Sequence, residues 1–297
     1  MEPEILDLNL VQRLDSFELR ARYVVEGFLS GLNRSPFRGF SVEFAEYRHY
    51  FPGDPLRLID WKLYGRTDRL YVKQFEEETN LQVHLLLDLS GSMNYRSRAQ
   101  VMTKFDYART MAASLAFFLH RQRDAVGLTL QKPDGIDYLY SRVSSTHLRQ
   151  VMNNLEGATA AGEIDLAGGV QNFANLLHRR SLIILISDFY EPPEALAAAL
   201  KRLRYSHHEV IALQVLDPAE IDFDFRESSF FHDLENGARL VIDPESIRRE
   251  YQKNFNAHQK AIGSVMRDYE VDLTQFRTDA PMDGALSAYL AKREGSQ

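Results

Sequence analysis

Four oxygen-bearing side chains stand where two apolar runs end. In "VHLLLDLSGSM" the run closes on Asp88, with Ser90 and Ser92 at alternate positions after it, and much later "LIILISD" closes on Asp188. A carboxylate and two hydroxyls at every second residue can turn three hard oxygens toward one point, and a second strand-end carboxylate would join them. Such a set suits Mg2+ or Mn2+ better than softer metals. The competing reading is local, with Asp88 and the serines capping the helix that follows.

Catalytic readings of these residues lack partners. A phosphatase of the haloacid-dehalogenase kind needs a second acid two residues after its aspartate as proton donor, and that residue is Ser90. "DLSGSM" lacks the glycines of a G-x-S-x-G elbow, and no Walker loop, dinucleotide fingerprint or H-E-x-x-H occurs. A metal-dependent hydrolase or phosphatase built on Asp88 and Asp188 is the remaining catalytic alternative. The chain has no cysteine, which excludes disulfides and thiolate chemistry. Its nine histidines are scattered and read as solvated, helix-end residues, while Tyr251, Phe255 and Tyr269 recur at helical spacing as core.

The composition is that of an ordinary globular protein, 44% hydrophobic and 26% charged, with a formal net charge of −7. An acidic chain lacks the basic footprint that nucleic-acid binding calls for. The longest apolar run, "LIILI", is far short of a membrane span, and "MEPEILDLNL" has no basic-then-apolar signal pattern, so a cytoplasmic location is expected.

The elements that must position the four oxygens follow an alternating strand–helix order from residue 80 onward, the pattern of an α/β domain with a mainly parallel sheet. Strands are expected at "LQVHLLLD", "AVGLTLQ", "DYLYSR", "SLIILISD", "HEVIALQVLD" and "VDLTQF". Helices are expected over 104–120, 146–155, 166–178, 193–203, 245–268 and 282–292. Between about 221 and 244 the order is interrupted by "FFHDLENGARLVID", where Asn236 and Gly237 predict a hairpin with a two-residue turn.

Residues 1–79 read as a separate, β-rich N-terminal elaboration. "FSVEFAEYRHY" and "RLYVKQFE" alternate like strands, Pro52 and Gly53 suit a type II turn, and Asp54 can cap a short helix that begins at Pro55 and ends at Gly65. Arg48, Arg57, Lys62, Arg66, Arg69 and Lys73 outnumber Asp54, Asp60 and Asp68 there, making the segment locally basic. It is either a solvated brace or a surface for an acidic partner, with Trp61 a core anchor or a contact residue.

"DLSGSM" with the later "ISD" resembles the metal-ion-dependent adhesion site of von Willebrand factor A domains. "YFPGDPLRLIDWKLYGRT" with "VKQFEEE" is similar to the signature of the bacterial domain-of-unknown-function family 58, and "LQVLDPAEIDF", "DLENGARLVIDP" and "FRTDAPM" fit that family too. The resemblance covers about residues 16–293. It implies a von Willebrand factor A-like, Rossmann-like sheet behind the N-terminal elaboration, with Arg48, Asp54, Arg57, Asp60, Trp61 and Arg66 as its signature residues.

The resemblance also implies protein binding rather than catalysis, through a Mg2+ or Mn2+ ion held by Asp88, Ser90, Ser92 and Asp188 and completed by a partner's acid. Family members are often encoded beside AAA+ ATPases of the MoxR group, which implies an assembly or maturation role with such an ATPase. One position departs from the pattern. The family's G-x-T-D-L stretch is "GEIDL" here, so Ile164 stands in place of a ligating threonine, and Thr159 is the candidate substitute. Weakened cation binding is expected.

Overall fold

The computed structural model describes residues 10–11, 14, 16–34, 47–49, 64–66, 69–73, 81–98, 101–225, 229–232, 234–235 and 237–295. The chain divides into two units, Leu32–Asn80 and a larger one of Met1–Gly31 with Leu81–Gln297. In the smaller unit Tyr47–His49 (β1) pairs antiparallel with Tyr71–Lys73 (β2), Arg48 opposite Val72. Arg66 lies exposed in a helical turn at 64–66. The expected turn at Pro52 and Gly53, together with Asp54, Arg57, Asp60 and Trp61, lies outside the described residues.

The larger unit opens with a helix, Phe17–Arg34 (α1). This helix had no counterpart in the sequence analysis, whereas the two strands expected further along are present as β1 and β2. Phe17, Ala21, Val24, Val25 and Phe28 recur at helical spacing and are all buried. The Phe28 ring meets Phe118 edge-on with centroids 6.2 Å apart, and the Arg109 guanidinium lies 4.8 Å from the Phe17 centroid.

Gln82–Asp88 (β3) is buried from Val83 to Asp88, which is why its sequence is continuously apolar instead of alternating. Ala125–Lys132 (β4) and Leu182–Ser187 (β6) flank it in parallel, Leu86 pairing with Thr129 on one side and Leu185 on the other. Glu209–Leu216 (β7) and Asp272–Arg277 (β10) extend the parallel run, and Gly135–Arg142 (β5) returns antiparallel along β4. The sheet order β10-β7-β6-β3-β4-β5 is, read from the far edge, the doubly wound order 3-2-1-4-5-6 with its third strand reversed. This is the von Willebrand factor A-like α/β architecture that the sequence led us to expect.

The helices cover the sheet by burying apolar stripes. Lys104–Arg121 (α2) starts on Thr103, whose hydroxyl accepts from the Asp106 amide at 2.9 Å, and Ser145–Gly157 (α3) starts on Ser144, which accepts from the His147 amide at 3.1 Å. Leu166–Leu176 (α4), Pro193–Tyr205 (α5) and Pro244–Asp268 (α7) contribute Phe173, Leu200, Ile262 and Met266 to one core cluster with Leu86 and Leu185. Gly284–Gly295 (α8) packs on α2, with the Phe118 and Tyr289 rings 6.1 Å apart. A short helix absent from the sequence reading, Pro218–Asp222 (α6), is nucleated by a capping box between Asp217 and Glu220. No described helix is long and apolar enough to cross a membrane.

Two expectations are corrected. His84, His147 and His208 are buried, not solvated, because they sit on core-facing positions of β3, α3 and the start of β7; His147 Nε2 lies 2.8 Å from the Val126 carbonyl oxygen. The hairpin exists as Ser229–His232 (β8) against Arg239–Ile242 (β9), but pairing stops at His232 and Arg239, so the loop holds residues 233–238 instead of a two-residue turn. The backbone of Leu234 and Glu235 lies against Gly91.

Candidate functional site

Parallel register sets the site. Leu87 of β3 pairs with Ile186 of β6, so both strands end level and deliver Asp88 and Asp188 to the same carboxyl edge. Both side chains are almost fully buried. Ser187, the last residue of β6, ties the two strand ends together: its hydroxyl donates to Asp88 Oδ2 at 2.6 Å and accepts from the Phe189 amide at 3.0 Å. Asp88 Oδ1 accepts from the Ser90 amide at 2.8 Å. After Asp188 the chain turns through Phe189, a buried non-glycine residue at φ 55°, pinned by His258 Nε2, 2.8 Å from its carbonyl oxygen.

The serines complete the ring of oxygens. Ser92 donates to Asp188 Oδ2 at 2.9 Å, and the Ser90 and Ser92 hydroxyls lie 3.0 Å apart. They do not cap the 3-10 turn Gly91–Asn94 that follows; Ser90 makes no side-chain cap bond. The loop 158–165 docks beside them, through the Ala161 amide on the Leu89 carbonyl and the Gly91 amide on the Gly162 carbonyl, each at 2.8 Å. On that loop Ile164 is buried, whereas Thr159 is exposed and makes no side-chain hydrogen bond among the described residues.

The residues that sequence reasoning missed carry the charge balance. Lys104, the first residue of α2, is completely buried and places Nζ 2.8 Å from Asp188 Oδ2 and 2.6 Å from Glu220 Oε1. The Tyr190 ring lies with its centroid 4.9 Å from the same nitrogen. Glu220 is held in place by α6, its Oε2 accepting from the Asp217 amide at 2.8 Å. Burial pulls the Lys104 pKa down, but Asp188 and Glu220 more than offset it, and the net direction is up. Burial, reinforced by the Asp188 charge, holds the Asp88 carboxyl above the usual range, and burial does the same to Glu220 against the opposing pull of Lys104. A helix-start lysine reads as solvated, and the one local signal that could have led to Glu220 is the D-P-A-E capping box, which the sequence analysis did not use.

A divalent cation of the Mg2+ class takes about six oxygen ligands. Here Asp188 Oδ2 is already shared between the Ser92 hydroxyl and an ammonium group, and the threonine position is a buried hydrocarbon. The residues present do not fit a divalent cation. They fit an internal counter-charge. The serine hydroxyls are engaged with each other and with Asp188, and among the described residues no histidine is bonded to them. Beside the cluster a groove of about 430 Å3 is lined by Tyr190, Glu220, Tyr251, Asn254, Phe255 and His258, which puts Tyr251 and Phe255 at a surface and not in the core.

Residues 46–261 match the family described as "Protein of unknown function DUF58". The uncharacterized protein Mb1516 of Mycobacterium bovis is 25% identical over 295 residues, covering 98% of this chain and 92% of that protein. Among solved structures, BatB from Bacteroides thetaiotaomicron is similar with a TM-score of 0.48 and 15% identity over 73% of this chain and 100% of that one. The SpRpn10 VWA domain is similar with a TM-score of 0.42 and 13% identity over 69% and 92%.

Proposed function

This chain belongs to the DUF58 family of proteins of unknown function, and from that premise we propose that it is a non-catalytic protein-interaction adaptor whose contact face is the carboxyl edge of the sheet. The observation that carries the reading is the state of the site: its hydroxyls are engaged with one another and with Asp188, the ammonium is bound to two carboxylates, and an aromatic groove opens beside them. Such an edge offers shape and charge to a partner but no poised nucleophile or base. The adhesion-site residues Asp88, Ser90, Ser92 and Asp188 act in this reading as a scaffold for that face.

The partner we propose is an AAA+ ATPase of the MoxR group or that ATPase's protein client, met in the cytoplasm during assembly or maturation. The resemblance to the family supports this, as does the locally basic segment around Arg48, Arg57 and Arg66, which suits an acidic surface. Tagged full-length chain is expressed in its native organism and recovered with and without ATP. The expected result is retention of a MoxR-type ATPase that responds to nucleotide and falls with Phe255→Ala. Recovery of no ATPase, or turnover of a small phosphate or acyl ester by the purified chain, overturns the reading.

A further inference from the structure

We propose that Lys104 is the resident cation of this site: its ammonium group supplies the positive charge that a divalent metal would otherwise bring, so the sheet edge is assembled without Mg2+ or Mn2+. The inference stands on geometry and does not depend on the adaptor reading. Lys104 is fully buried at the start of α2, and a lysine is almost never fully buried unless paired. Two of its three N–H donors reach Asp188 and Glu220, at 2.8 and 2.6 Å, and the Tyr190 ring covers another side. One ammonium thus joins three elements, α2, the end of β6 and α6.

The rest of the site is consistent with this exchange. Asp188 Oδ2 is the atom that binds both the ammonium and the Ser92 hydroxyl, so a metal ion approaching it would face a fixed like charge at close range. The lysine cannot swing aside cheaply. Its backbone amide donates to the Tyr95 carbonyl at 3.0 Å and its stem is enclosed in the core. Ile164 fits the same logic, because a site whose charge is internal has no use for a threonine ligand and can bury an aliphatic group there instead.

The purified full-length chain is titrated with MgCl2 and MnCl2 by calorimetry and melted in Mg2+, Mn2+ or EDTA. The expected result is no saturable heat and a melting temperature that is the same in all three. Ile164→Thr alone restores the missing oxygen but leaves the ammonium, so it gains no affinity. Lys104→Met with Ile164→Thr removes the charge as well, and its Mn2+ affinity rises roughly tenfold or more over wild type, with melting raised by Mn2+. Saturable one-to-one binding by wild type that Asp188→Asn abolishes overturns the proposal, as does a gain by Ile164→Thr alone. A double variant that folds and gains no Mn2+ affinity overturns it too. Should the double variant not fold, the wild-type and Ile164→Thr titrations decide between the same two outcomes.

Discussion

The Ser187 hydroxyl donates to Asp88 Oδ2 over 2.6 Å, tying the ends of the two central strands of the sheet through a side chain that the acidic residues overshadow in the sequence. Asp88 is fully buried and already held above the usual carboxylate range by burial, and this bond is among the few interactions that favour its charged form. Ser187→Ala leaves a carboxylate oxygen without that donor. A loss of about 1–3 kcal/mol in unfolding free energy is expected from urea denaturation at neutral pH. A loss within error of zero would show that the two strand ends are not coupled through this hydroxyl.

How much of this could be read from residues alone follows from what each residue depends on. Asp88 and Asp188 were legible because each ends an aliphatic run, and a strand buried on both faces has to look like that. Their meeting needed only the parallel order. Lys104 depends on where α2, β6 and α6 converge, and nothing local distinguishes it from a lysine at any solvated helix start. The helix Phe17–Arg34 did carry its own periodicity, in Phe17, Ala21, Val24 and Phe28, and was obscured by the strand-like alternation further along. For the hairpin, Asn236 and Gly237 signalled a reversal, whereas the close approach of its tip to Gly91, far away in sequence, had no local signal.

Stability should fall in mild acid because of His84. Burial, with a smaller contribution from the His208 charge, holds its pKa down at about 4, and its ring is packed beside Tyr138 and Phe173. The unfolded chain takes up that proton near pH 6.5 and the folded chain does not, so stability from this group is full above 6.5 and is lost as pH drops toward 4. The loss amounts to about 3 kcal/mol by pH 4. Urea midpoints at pH 7 and pH 5 should therefore differ, and the difference should shrink in His84→Leu. An equal difference in wild type and variant would assign the acid sensitivity to other groups.

Gly91 should be intolerant of any side chain. A Cβ there would collide with the Leu234 carbonyl and crowd the Glu235 backbone, so Gly91→Ala has to displace the hairpin tip from the site loop. The expected cost is about 1–3 kcal/mol, and limited proteolysis should cut the loop between β8 and β9 faster than in wild type. Unchanged stability together with an unchanged cleavage rate would mean that the tip does not rest on Gly91.

The folding unit of the α/β part should include the N-terminal helix. Ala21, Val24 and Val25 are completely buried, and Phe28 is nearly so with its ring edge-on to Phe118 of α2. A fragment beginning at Leu81 would keep every strand of the six-stranded sheet yet leave this apolar stripe of α2 open to water. Phe28→Ala in the full chain removes one part of the same contact and should cost about 3 kcal/mol. The fragment should melt well below the full chain and bind a hydrophobic dye, with the Phe28 variant between the two. A fragment as stable as the full chain would return the domain boundary to residue 80 and make the helix an accessory of the N-terminal region.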